Sequence, residues 1–241
     1  MSVATVLAIA GILLVILAAI VLRSFGPGFR VGRLLGATPE VSIDDALAIA
    51  GGDAPRYVRV TGRISSDEEF PDDQNRPLVF RRTRLAVRGV DGQWVNALDE
   101  REAVPFGVET RSSYIAVDDG ALGDGLVVIA RESAGRASDL PAEFGVDLPA
   151  GMDSTAPARL TIEQVSAVEQ ATVVGQPIRR DGVAVMTAGL GRPLIVTTLE
   201  QPAAMRVLAH GRRGRVVFAT AALALGVGSL FGAGVAFVLG A

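Results

Sequence analysis

One histidine, no cysteine and 23 basic residues, every one of them arginine, bound the chemistry open to this 241-residue chain. Without a thiol there is no disulfide, no thiolate zinc site, no iron–sulfur cluster and no cysteine nucleophile. Without lysine there is no phosphate-loop lysine, no Schiff base and no Ser–Lys dyad. The lone imidazole, His210, lies in Leu-Ala-His-Gly-Arg-Arg-Gly-Arg. A Ser–His–Asp triad would have to use it, and no Gly-x-Ser-x-Gly elbow is present to meet it. An anchoring role beside arginines suits His210 better than catalysis. No catalytic residue, metal ligand or cofactor is therefore expected, and the chain is read as leaning away from enzymes.

Other clusters carry weaker signals. Asp67, Glu68, Glu69, Asp72 and Asp73 could offer oxygens to a divalent cation, but they lack the spacing and glycine of a calcium loop. A solvated acidic loop is expected. By strict alternation Arg82, Arg84 and Arg88 fall on one face of a strand. They form a candidate interaction surface for anionic lipid or an acidic partner, against the blander reading of a solvated sheet face. Ala188-Gly-Leu-Gly-Arg-Pro193 has no helix after it to cradle a phosphate and reads as a hairpin turn. Gly228 and Gly232 have the small-xxx-small spacing of closely packed helices, with Ala4, Ala8 and Gly11 giving the N-terminal apolar run a small face too.

These residues sit in a chain of uneven polarity. Hydrophobic residues make up 49% of it and charged ones 20%, with a formal net charge of −3. Val3–Leu22 and Val216–Ala241 hold no charge at all. Each is long enough for a helix crossing a hydrocarbon core of about 30 Å, and the first lacks the basic start of a signal peptide. Arg23, Arg30 and Arg33 follow one run, and Arg206, Arg212, Arg213 and Arg215 precede the other. The positive-inside rule then predicts an integral membrane protein of a prokaryotic plasma membrane, its central part cytoplasmic and its termini outside. The near-neutral balance gives no case for nucleic acid.

The expected organisation is a transmembrane helix at 1–23, a linker at 24–40, a strand-rich domain at 41–210, and a basic stretch with a second transmembrane helix at 211–241. Ser42 and Asp45 have capping-box spacing before a short helix ended by Gly51-Gly52. Alternation then predicts strands at 57–64, 78–90, 93–97, 114–117, 126–131, 159–168, 172–174, 183–187 and 194–197. Asp91-Gly92 and Asp181-Gly182 mark hairpin turns. Residues 133–155 read as an excursion loop, and a helix after Thr198 precedes the basic stretch. The fold class is mainly β with flanking helices (α+β), a compact antiparallel barrel or sandwich between two transmembrane helices.

Several segments, in order, resemble the GIDE-type membrane E3 ubiquitin ligases of mitochondria and chloroplasts and their prokaryotic relatives. They are Val60-Thr-Gly-Arg-Ile64, Pro77-Leu78, Val104-Pro-Phe-Gly-Val108, Tyr114-Ile-Ala-Val117, Leu160-Thr-Ile-Glu163, Ala171-Thr-Val-Val-Gly175 and Pro193-Leu-Ile-Val196. The resemblance implies a "beside a membrane" domain between two membrane helices. It also implies a zinc-binding RING, which needs about eight Cys and His ligands that this sequence does not hold. The expectation is a RING-less member presenting a non-catalytic domain to a protein or to the lipid surface. An oligomeric scaffold or small channel, a homo-oligomer assembled through its helices, is the alternative.

Overall fold

The computed structural model describes residues 3–23, 27–139, 154–209 and 213–238. It divides into two compact units, Met1–Arg33 with Leu208–Ala241, and Leu34–Val207.

In the first unit α1 (Val3–Arg23) packs against α5 (Arg213–Val238). Close approach centres on two glycines. A Cβ on Gly11 would lie 2.7 Å from Leu230 Cγ, and one on Gly226 would lie 2.9 Å from Val15 Cγ2 and 3.1 Å from the Gly11 carbonyl. The expected membrane crossing is corrected here. Among the described residues no helix is long and apolar enough to cross a membrane. Two flanking transmembrane helices, and the integral membrane location and topology that followed from them, are withdrawn.

The second unit is mainly β. Ser42 caps α3 (Ile43–Ala50), its hydroxyl accepting from the Asp45 amide, and Ile43 and Ala46 face the core. The stretch read as a linker instead contains α2 (Pro27–Ala37). Pro27 occupies the first helical position, where its missing N–H costs nothing.

Five strands close into a ring. β1 (Val58–Ser65) pairs antiparallel with β5 (Phe106–Glu109), and β5 with β6 (Tyr114–Val117). β6 pairs parallel with β11 (Val183–Thr187), and β11 antiparallel with β10 (Gln170–Arg180). β10 returns to β1, Val60 opposite Val173. Val60, Ile64, Phe106, Val108, Ile115, Val173 and Met186 fill the interior. This order, with its parallel β6–β11 pair, is that of the five-stranded Greek-key barrel of OB-type domains. The barrel is thus not purely antiparallel as expected. Outside the ring, β12 (Ile195–Thr197) adds to β10 and β7 (Leu126–Val127) adds to β12.

A second sheet grows from the connections. The β1–β5 connection carries β2 (Phe70–Pro71), β3 (Pro77–Arg88) and β4 (Trp94–Ala103). The β6–β10 connection carries β8 (Arg131–Arg136) and β9 (Pro157–Ser166). β3 joins the two excursions by pairing β4 on one side and β9 on the other. α4 (Gln201–Ala209) follows the last strand.

Closure depends on Gly62. A Cβ there would sit 2.6 Å from the Glu109 carbonyl oxygen, a backbone atom that cannot swing away. Gly62→Ala is expected to lose about 1–3 kcal/mol. Val90→Ala, at a fully exposed site, should stay within about 0.5 kcal/mol. Urea unfolding of both variants reads the difference.

Candidate binding groove

The residues singled out by sequence are dispersed. Of the three arginines singled out on β3, Arg82 and Arg84 tie to neighbouring strands, and Arg88 stays exposed beside its hairpin turn. Arg82 is buried and clasps Asp99 of β4 with two bonds, Nε to Oδ1 at 2.8 Å and Nη2 to Oδ2 at 2.7 Å. Its Nη1 reaches Asp124 at 3.1 Å and the Gly123 carbonyl at 3.3 Å. Arg84 donates to Glu163 of β9 at 2.9 Å, and exposed Arg88 donates to the Gly92 carbonyl at 3.2 Å. Hydrogen bonding from Arg82 holds the Asp99 carboxyl below the usual carboxylate range, while burial pushes Glu163 up against the pull of Arg84. Arg82 thus ties the second sheet to the connection leaving β6.

The acidic loop is also partly structural. Asp72 turns inward and accepts from the Gln74 and Arg76 amides, both at 2.8 Å, and from Arg76 Nε at 2.7 Å. The bond from the Arg76 amide, outweighing the opposing effect of burial, lowers its pKa to about 2. Among the described residues no group of three or more His, Asp or Glu could hold a metal ion. Ala188–Pro193 is a tight turn bridged between Gly189 and Arg192, with Leu190 and Gly191 at positive φ. Among the described residues a Cβ on Gly228 would meet nothing within 4 Å and one on Gly232 only Leu7 at 3.9 Å, while the close approach of α1 and α5 falls at Gly11 and Gly226. His210 lies outside the described residues.

What sequence reasoning missed is a groove of about 420 Å³ lined by Ser65, Ser66, Asp67, Glu68, Pro105, Glu109 and Tyr114. Register puts Tyr114 of β6 opposite Glu109 of β5, both on the outside of the barrel while Val108 and Ile115 point in. The Tyr114 ring lies over Gly107, where a Cβ would come within 2.6 Å of Cζ. Burial, with Asp67 and Glu109 adding to it, raises the Tyr114 pKa. The facing wall is pinned by Ser66, whose Oγ lies 2.6 Å from both the Glu68 and Pro105 carbonyls. The sequence singles out its parts separately, Asp67 and Glu68 in the acidic loop, Val104–Val108 in the resemblance and the strand at 114–117, without bringing them together.

A smaller cavity of about 190 Å³ lies where Glu40, Arg59, Thr61 and Thr172 meet. Its polar groups largely bond one another, Arg59 to Glu40 at 2.8 Å and Thr61 to Thr172 at 3.1 Å.

No protein-family model matches the chain, and no curated protein or solved structure shows significant similarity to it.

Arg82→Met leaves the Asp99 and Asp124 carboxylates without their shared cation and should destabilise by about 1–3 kcal/mol at neutral pH. Asp99 titrates lower folded than unfolded. Its contribution is complete above the unfolded value of about 4 and is lost as pH falls through the depressed folded one. Urea titrations at pH 7 and pH 3 should therefore show the gap to wild type narrowing in acid.

Proposed function

We propose that this chain is a non-catalytic binding module that holds a segment of a partner protein in the groove on the outer face of β5 and β6. The observation that carries this reading is the place of the groove. It lies on the second and third strands of the five-stranded ring and under the loop that leaves the first, the face where OB-type barrels take their ligands. A rigid, concave surface with an aromatic wall and a few polar groups suits a short peptide segment. The acidic rim disfavours phosphate, which speaks against both nucleic acid and anionic lipid headgroups.

Kinship with the GIDE-type ligases belongs to the same proposal. The segments behind that resemblance fall on β1, β3, β5, β6, β9, β10 and β12, which are strands of the barrel and its second sheet. They support a shared scaffold for partner binding. They lend nothing to ubiquitin transfer, for which the RING's cysteines are missing from this sequence.

The test is selection from a random peptide library on the purified full chain, with counter-selection on Tyr114→Ala. Binders of micromolar affinity that compete with one another and fail on Tyr114→Ala are expected. A set of binders indifferent to Tyr114, or none at all, would remove the groove as the binding face.

A further inference from the structure

Resting on that reading, we propose that the partner segment is basic, and that the groove seats an arginine side chain against the Tyr114 ring between Asp67 and Glu109. Three observations lead there. First, Tyr114 stays 43% exposed although its ring is backed by Gly107. The missing side chain at 107 lets the ring lie across β5 and leaves it open toward the groove. A ring supported in this way offers a fixed π surface at little entropic cost.

Second, the ionisable side chains lining the groove, apart from the Tyr114 phenol, are all acidic: Asp67, Glu68 and Glu109. None of the three is in an ion pair among the described residues, although Arg63 stands opposite Glu109 in the β1–β5 register, whereas Glu40, Asp72, Asp99, Asp118 and Glu163 each hold an arginine. The unmatched charge calls for a cation, and the metal option fails because no group of three ligands could hold one among the described residues.

Third, the chain uses arginine over an aromatic ring repeatedly. Arg159 stands 4.4 Å over Trp94, Arg192 5.1 Å over Tyr57 and Arg81 5.5 Å over Phe70. Tyr114 has the same kind of ring, acids on both sides, and no such cation from its own chain among the described residues. A guanidinium is planar and weakly hydrated, so it can stack on the ring while its edges donate to the two carboxylates. Lysine would supply the charge without the stack.

The experiment is fluorescence anisotropy on the full chain with a labelled Gly/Ser peptide carrying three spaced arginines, beside the same peptide with citrulline at those positions. Citrulline keeps the shape and removes the charge. The arginine peptide should bind about tenfold tighter than the citrulline peptide. That preference should disappear in the Asp67→Asn/Glu109→Gln double variant and in Tyr114→Ala, and it should weaken as salt is raised. Because the double variant is isosteric at exposed or half-buried positions, an unchanged melting temperature separates lost recognition from lost folding. Equal binding of the two peptides, or a preference that survives both variants, overturns the proposal. If library-selected peptides still need Tyr114 but show no arginine preference, the cationic specificity falls while the groove stands. If no peptide depends on Tyr114, both fall.

Discussion

The structure depends on one close approach, β5 lying against β1 at Gly62. β1 pairs with β10 along Val58–Arg63 and with β5 along Arg63–Ser65, so Arg63 stands in both ladders. The two ladders overlap at this end of β1, and a glycine in a strand lets a neighbouring backbone come into the space a side chain would fill. At Gly62 that space is taken by the Glu109 carbonyl. The groove follows from the same geometry. Because β1 ends beside β5, the loop leaving it passes over Pro105 and is fastened there by Ser66, with Asp67 and Glu68 set across from Tyr114. Opening the ring would lose the groove together with the core.

The excursions from the barrel pose a second physical problem. Two connections inserted into a small barrel could move independently, each with too little core to order itself. Here they share β3, and the apolar side of their sheet collects Leu85, Val87, Leu160 and Ile162. On the other side Arg82 and Arg84 gather carboxylates from β4, β9 and the β6–β7 connection. Burying a guanidinium costs desolvation, which only good geometry offsets. The two-bond clasp on Asp99 has that geometry. The arginines that look like a binding stripe in sequence are therefore largely consumed in holding the insertions to one another and to the barrel.

What was legible in the sequence was local. The Ser42 cap, the Asp91-Gly92 and Asp181-Gly182 turns, and the long β3 all come from patterns within a dozen residues. What was not legible depends on partners far along the chain. β5 is four residues long with a glycine in it, too short and too interrupted for alternation to register, yet it completes the ring. α2 was hidden by Pro27 and its glycines, which read as loop punctuation although a proline at a helix start is favourable. The strict alternation that placed Arg82, Arg84 and Arg88 on one face was fair as far as it went, but sequence could not show Asp99 and Glu163 arriving from neighbouring strands. The chargeless ends are the opposite case. Composition spoke loudly for membrane spans, and the described helices do not provide one.

The distribution of charge explains why the groove differs from the rest of the surface. Lacking lysine, the chain has only arginine to neutralise its 26 acidic residues, and arginine's planar fork favours specific pairing over diffuse screening. Several acids that matter to the fold find such a fork: Asp72 in its turn, Asp99 at the sheet junction, and Asp118, where Arg180 and Thr187 donate to one oxygen at 2.8 and 2.7 Å. At Asp118 burial pushes the carboxyl up, and those two bonds more than reverse it. The acids beside the open Tyr114 ring have no such fork among the described residues. Asp67, in the loop after β1, and Glu109, on β5, hold no ion pair among the described residues, so exchanging them for amides would break no such tie in the scaffold.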